Sequence, residues 1–193
     1  MALPGIYDIF QERWGKGQSC FIYSDPHFSD MDLECGIKNR PSDEEQIRRI
    51  NAKCGRKDTL IILGDIGNIE CVKHLRAAYK ILIMGNHDSG KTNYTDIFDE
   101  VYEGVLVIGE KLILSHEPIA GLNWALNLHG HVHDKQAKTD AYHINCCSDV
   151  IGYEPINLNQ LLKSGPTAHI QSIHRQIIDS ATKRKRKRNK EIV

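Results

Sequence analysis

The sequence predicts an α/β fold: a parallel sheet from the first half of the chain, with a second, more antiparallel sheet packed on it. Three observations carry this. Short apolar runs alternate with helix-compatible segments over residues 19–88, the pattern of βαβ units. Those runs are apolar throughout, which suits strands covered on both faces. After residue 100 the apolar runs follow one another with short connections and one hairpin-like break at Gly109-Glu110.

Each element has a local reason. Ser19-Cys20-Phe21-Ile22-Tyr23-Ser24 reads as a buried strand ending at Asp25. Residues 28–41 lack periodicity and read as a loop closing over that end. Ser42-Asp43-Glu44-Glu45 forms a capping box, in which Ser42 accepts from the Glu45 amide and the Glu45 carboxylate reaches back. The helix runs to about Cys54 with Ile47 and Ile50 inward, and Gly55 ends it. Residues 59–63 form a second strand leading to Gly64-Asp65. A helix is expected over 69–79, with Val72, Leu75 and Tyr79 on one face. Residues 81–84 form a third strand running into Gly85-Asn86-His87-Asp88. Further strands are expected over 101–108, 111–114, 124–128 and 141–147. A short helix through Leu162 follows Pro155-Ile156-Asn157, Gly165-Pro166 breaks the chain, and residues 168–182 are compatible with a helix.

A chain of 193 residues with 40% hydrophobic content suits one domain with a sizeable core. No apolar run approaches membrane-span length, and the N-terminus lacks the pattern of a secretion signal. None of the six cysteines forms a C-x-x-C pair, so free thiols in a reducing cytoplasm are expected, with Cys20, Cys146 and Cys147 in the core. The net charge of zero hides an asymmetry. Seven of the 25 basic residues fall in 183–190, whereas Glu191 alone of the 25 acidic residues lies beyond 180. The acidic body does not suit a general polyanion binder, and carboxylates clustered around a cation would supply part of its charge.

Five segments carry the chemistry: Asp25-Pro26-His27, Gly64-Asp65, Gly85-Asn86-His87-Asp88, Ser115-His116-Glu117-Pro118 and Gly130-His131-Val132-His133. Each follows a strand-like run, and strand ends deliver side chains into one crevice. Asp25, Asp65 and Asn86 offer oxygen; His27, His116, His131 and His133 offer nitrogen. A pair of divalent cations needs a carboxylate to bridge it and a mixture of imidazole and oxygen donors. Such donors suit Mn, Fe, Zn or Ni, and the absence of a thiolate argues against a structural zinc site. The glycines before Asp65, Asn86 and His131 suit backbone packed against such a cluster. His131 and His133 point the same way if the backbone stays extended, each reaching a different ion.

In this order the segments resemble the calcineurin-like metallophosphoesterase superfamily, most closely its small single-domain bacterial and phage branch, over roughly residues 19–160. Arg40-Pro41, Asn145 and Gly152-Tyr153-Glu154-Pro155 also look like that branch. The resemblance implies a four-layer fold of two facing mixed sheets flanked by helices. It places a metallophosphoesterase domain at 1–162 and a C-terminal helix with a basic tail at 163–193. It implies one ion on Asp25, His27 and His133, another on Asn86, His116 and His131, and Asp65 bridging both. A bridging hydroxide would be the nucleophile. His87 would contact the phosphoryl group and protonate the leaving oxygen, with Asp88 orienting it. Arg40 is a candidate phosphate contact or a surface arginine.

The expected activity is metal-dependent phosphoester hydrolysis, as phosphatase or phosphodiesterase. The short spacing from Asp65 to Asn86 leaves no room for a cap, which favours a small or exposed ester. His129, off the family pattern, reads as a core group or one standing behind the ligands, His143 as structural, and His74, His169 and His174 as surface groups. Glu117-Pro118 shapes a turn. Two alternatives stand: a non-catalytic interaction scaffold on the same fold, and a nuclease or RNA-processing enzyme using the basic tail. Nucleic acid is a possible but not favoured partner, and no membrane partner is expected.

Overall fold

Strands this apolar must be covered on both faces, and the molecule does so with two stacked sheets. The computed structural model describes residues 19–31, 36–37, 39–134, 139–173 and 175–180. Cys35, His174 and the charge run at 183–190 lie outside them. Cys20–Tyr23 (β1), Thr59–Ile62 (β2), Tyr79–Ile83 (β3) and Glu100–Tyr102 (β4) run parallel, and Ile156–Asn157 (β9) joins β1 antiparallel, in the order β4-β3-β2-β1-β9. The second sheet holds Leu106–Ile108 (β5), Leu112–Leu114 (β6), Leu126–His129 (β7) and His143–Asn145 (β8), in the order β5-β6-β7-β8.

Side chains alternate across each strand, so the first sheet feeds two cores. Ile22, Ile61, Leu63, Ile81 and Ile83 meet Ile108, Leu112, Leu114, Leu126 and Leu128 between the sheets. Tyr23, Leu60, Ile62 and Leu82 face the other way, onto Ile50 of helix α1 (Asp43–Lys53) and Val72 of a 3₁₀ turn (Ile69–His74). The helix Leu158–Lys163 (α2) brings Leu158, Leu161 and Leu162 to the inter-sheet core. Outside the second sheet, Ile113 is covered by Leu122, Ala125, Ile119 and Trp124 of the loop after β6. The fold is α/β, with two mixed sheets flanked by helices. Cys20, Cys146 and Cys147 are buried and free. No helix of the described residues is long and apolar enough to cross a membrane.

Several expectations need correction. The helix foreseen over 69–79 stops at His74, and Tyr79 opens β3. Asn51 of α1 ends it: its amide donates to the His74 carbonyl (2.9 Å) and accepts from the Arg76 amide (2.7 Å). The single strand foreseen over 101–108 is two strands in different sheets, separated at Gly104, whose φ is +95°. The second sheet is mostly parallel: only β5–β6 is antiparallel, while β6–β7 and β7–β8 are parallel. The chain between β6 and β7, and between β7 and β8, is long enough for those crossovers. Ser42 caps α1 as expected, but the Glu45 carboxylate binds Arg48 and Arg49 rather than reaching back. At an exposed site, two guanidinium donors outcompete one distant amide.

Candidate metal centre

Asp25, Asp65 and Asn86 lie just beyond the C-terminal ends of β1, β2 and β3, and His116 and His131 just beyond β6 and β7. The loops there are tightly wound. Asp25, His27, Asp65 and His131 have φ of +55°, +41°, +54° and +65°. Such conformations cost non-glycine residues on the order of 1–3 kcal/mol each and persist only where the surroundings impose them. Here Asp25 N–H donates to Gly64 O (3.1 Å), His27 N–H to Asp65 O (3.0 Å) and Ser148 Oγ–H to Asp25 O (2.8 Å). A Cβ on Gly64 would lie 2.5 Å from Gly85 N, one on Gly85 would strike Asp65 Oδ1, and one on Gly130 would strike Ser24 Oγ and Asp25 Oδ2. The glycines let the loops close.

The first half of the centre joins Asp25, His27, His133 and Asp65. His133 Nε2 is 3.5 Å from Asp25 Oδ1, and His27 Nε2 is 3.5 Å from Asp65 Oδ2. Behind the rings, His27 Nδ1 is 3.1 Å from Asp30 and His133 Nδ1 is 3.0 Å from Asp149. A carboxylate on Nδ1 fixes the proton there and turns the Nε2 lone pair into the site. Asp25 Oδ1 and His27 Nε2 are buried with no hydrogen-bond partner among the described residues. Lone pairs buried without a donor are costly, and a cation among them removes the cost. Burial holds the His27 pKa down despite Asp65 and Asp25. Burial opposes charge on His133 too, but the Asp149 and Asp25 carboxylates outweigh it and lift its pKa to about 9.

The second half joins Asn86, His116, His131 and the same Asp65. His116 Nδ1 sits 2.8 Å from the Leu63 carbonyl, which fixes Nε2 as the inward atom. That Nε2 lies 2.8 Å from Asn86 Oδ1, 3.2 Å from His131 Nδ1 and 3.3 Å from Asp65 Oδ2. Burial disfavours a charged His116, yet Asp65 and Asp25 raise its pKa to about 9. Asp65 Oδ1 is held by the His87 amide (2.9 Å), leaving Oδ2 between the two halves. Among the described residues, three groups have ligand atoms within 4.8 Å of one another: Asp25/His27/Asp65, Asp65/His116/His131 and Asp25/His133/Cys147. These clusters fit metal ions. Cys147 lies behind His133, 3.4 Å from Nδ1, and burial with the nearby Asp25 and Asp149 charges pushes its thiol pKa up.

His131 and His133 do not share an extended strand. His131 turns with positive φ, Val132 N–H returns to Gly130 O (2.8 Å), and the rings face different halves. The His87 ring stands edge-on to His27 at 5.5 Å and is exposed. Asp88 does not orient it. Its oxygens accept the amides of Asp65 (2.9 Å), Ile66 (3.0 Å) and Gly85 (2.8 Å), tying the β2 and β3 loops together. Three backbone donors outcompete one exposed ring. The Arg40 guanidinium donates to the Pro26 carbonyl and stands 5.8 Å over the Tyr153 ring, on the chain between Asp25 and His27. His129 is buried with Nδ1 2.9 Å from Gly130 O, and His143 sits 2.8 Å from Ile119 O; His74 and His169 are exposed. Ser115 Oγ–H donates to Glu117 O (2.7 Å) in the turn after β6.

Sequence reasoning missed Asp30, Asp149 and Asn127. Asp30 had a signal, three residues after His27. Asp149 had none, because the loop carrying it meets His133 only in the folded chain. Asn127 is fully buried and pins the turn after His116, accepting the Ile119 amide (2.9 Å) and donating to Ser115 Oγ (2.8 Å).

No family model and no curated protein matches the chain. Among solved structures it is similar to a protein of unknown function, AQ665, from Aquifex aeolicus: 24% identity, 76% of this chain and 98% of that one covered, TM-score 0.62. It also matches the nuclease MPE of Pseudomonas putida (24% identity, 59% and 61% covered, TM-score 0.42) and a single mutant of Vps29 from Entamoeba histolytica (19%, 65% and 72%, 0.38). The chain therefore shares its two-sheet α/β fold with the Aquifex protein and carries, at one end of both sheets, side-chain clusters able to hold metal ions.

Proposed function

We propose that this chain is a metal-dependent phosphoester hydrolase whose centre takes two divalent cations. One observation supports this most: two groups of inward-turned donor atoms share Asp65 Oδ2, and two of the donor atoms, Asp25 Oδ1 and His27 Nε2, are buried without a hydrogen-bond partner among the described residues. One ion is held by Asp25, His27 and His133, the other by Asn86, His116 and His131, with Asp65 common to both. Manganese is the ion to try first; iron, zinc and nickel suit the same donors.

Bound cations supply Lewis acidity toward phosphoryl oxygens and make water acidic enough to act near neutral pH. The chain's own residues do the rest. Asp30, Asp149 and the Leu63 carbonyl hold the tautomers of His27, His133 and His116. His87, beside the first half, donates a proton to the departing oxygen. Asp88 acts as a positioning residue, holding the Asp65 and Gly85 backbones. The substrate is a small or exposed ester, because the segment from Asp65 to Asn86 holds only a 3₁₀ turn and β3. The hydrolase unit spans 1–162, and the basic tail serves no step.

The test is metal analysis of the manganese-loaded protein with a screen of phosphate mono- and diesters, cyclic nucleotides included, by phosphate release and product mass. Two ions per chain and turnover abolished by chelation are expected. Bound metal without turnover of any ester favours the scaffold alternative, and one ion or none rejects the two-ion centre.

A further inference from the structure

Beside the second half of the centre lies a cleft of about 270 Å³ that the proposed chemistry leaves unused. Asn86 and His116 line it together with Met84, Val105, Pro118 and Ile119. Val105 is presented outward at 56% exposure, directly after the Gly104 turn that carries the chain between the sheets. Among the described residues its ionisable lining groups are His116 and Glu117, with no lysine or arginine.

This lining selects by chemistry. Apolar walls favour a flat or branched carbon surface, and desolvating a charge against them is costly. Glu117 adds a carboxylate to the lining, and no described lysine or arginine is there to pair with a second phosphate. The volume suits one ring of phenyl or nucleobase size. The position selects as well. His87 does not line the cleft; it stands against His27, on the opposite half of the centre. A leaving oxygen directed at His87 is therefore directed away from the cleft.

Resting on the hydrolase reading above, we propose that this cleft seats the substituent that stays on phosphorus, and that this substituent is a neutral ring. The substrate class is then a phosphodiester with a neutral aryl or heteroaryl-bearing retained group. Hydrolysis breaks the bond from phosphorus to the leaving oxygen and forms one from water oxygen to phosphorus. The leaving oxygen takes a proton, and the product is a monoester still carrying the ring.

Two diesters with the same leaving group test this: bis(4-nitrophenyl) phosphate and methyl 4-nitrophenyl phosphate, with 4-nitrophenyl phosphate as the monoester. The manganese-loaded full chain should show a KM about tenfold lower for the bis-aryl than for the methyl ester, the discrimination expected of a small apolar pocket. Val105→Asp, at an exposed position, should raise the bis-aryl KM about tenfold and leave its kcat, the methyl-ester KM and the metal content unchanged. Equal KM values for the two diesters, or a bis-aryl KM indifferent to Val105→Asp, overturn the subsite while the hydrolase reading stands. A monoester KM that rises in parallel with the bis-aryl KM shows that the cleft holds the leaving group, and rejects the assignment. No turnover of any ester by the metal-loaded chain rejects the hydrolase reading and the subsite together.

Discussion

The two halves of the centre are built differently. Around Asp25 the donors sit deep: Asp25, His27 and Asp65 are buried, His133 is half-buried, and His27 and His133 each have a carboxylate behind the ring. Around Asn86 the site opens: Asn86 and His131 are exposed, Asn86 is neutral, and His116 alone among its imidazoles is anchored from behind, by a backbone carbonyl. One half concentrates negative charge at low dielectric, and the other shares a single carboxylate with it. The first half should therefore hold its cation more tightly, and the second should exchange its cation and meet solvent.

Asp65 is the element common to both halves, so its loss should erase the difference. Asp65→Asn should leave at most one tightly bound ion and lower turnover by more than the roughly 10–100-fold carried by ligand-orienting partners. Metal analysis with kinetics decides, and unchanged stoichiometry and rate would show that the halves do not share it.

His87 tests which half faces the leaving group. His87→Ala should keep both ions. It should lose about 10²–10⁴ in rate on an alkyl ester, the usual worth of a positioned proton donor, and less on a nitrophenyl ester whose leaving group needs no proton. Equal losses on both would assign His87 to the phosphoryl oxygens instead.

The carboxylate behind His133 separates the halves directly. Asp149→Asn should weaken the tighter site about 10–100-fold and spare the other. Stepwise metal titration followed by calorimetry reads each site.

Protons should compete with the proposed cations in both halves, because His116 and His133 of the metal-free chain have pKa values raised to about 9. Metal affinity should climb from pH 6 to 9 as each ligand gives up its proton. The same shift has a stability sign. The raised pKa stabilises the metal-free fold below the unfolded-state histidine value of about 6.5. That contribution is lost as pH rises through about 9. Thermal melts with and without manganese across this range check both trends, and a flat metal-free profile would contradict them.

The smallest effect expected is from the tail. A chain ending at Ser180 should keep its turnover number on an aryl phosphoester, since His133 is the last of the proposed ligands. A large loss would bring the tail into the site.

Much of this was legible in the chain. Three uninterrupted apolar runs, each leading straight into a donor residue, announced a covered parallel sheet with chemistry at its strand ends. The order of Asp25, His27, Asp65, Asn86, His116, His131 and His133 announced one shared cluster. These features are local: apolar content, strand length and a donor two or three residues past the strand are written in consecutive residues. What the tertiary structure decided was non-local. Asn51 ended the 3₁₀ turn at His74 from another helix. Gly104 divided one apolar stretch between two sheets. Asp88 spent its carboxylate on three backbone amides instead of on the neighbouring His87, and Asp149 reached His133 from a separate loop. Periodicity reports which face of an element is apolar. Which buried amide or ring a polar side chain satisfies depends on what the fold brings within hydrogen-bonding distance, and that geometry exists only once both sheets have stacked.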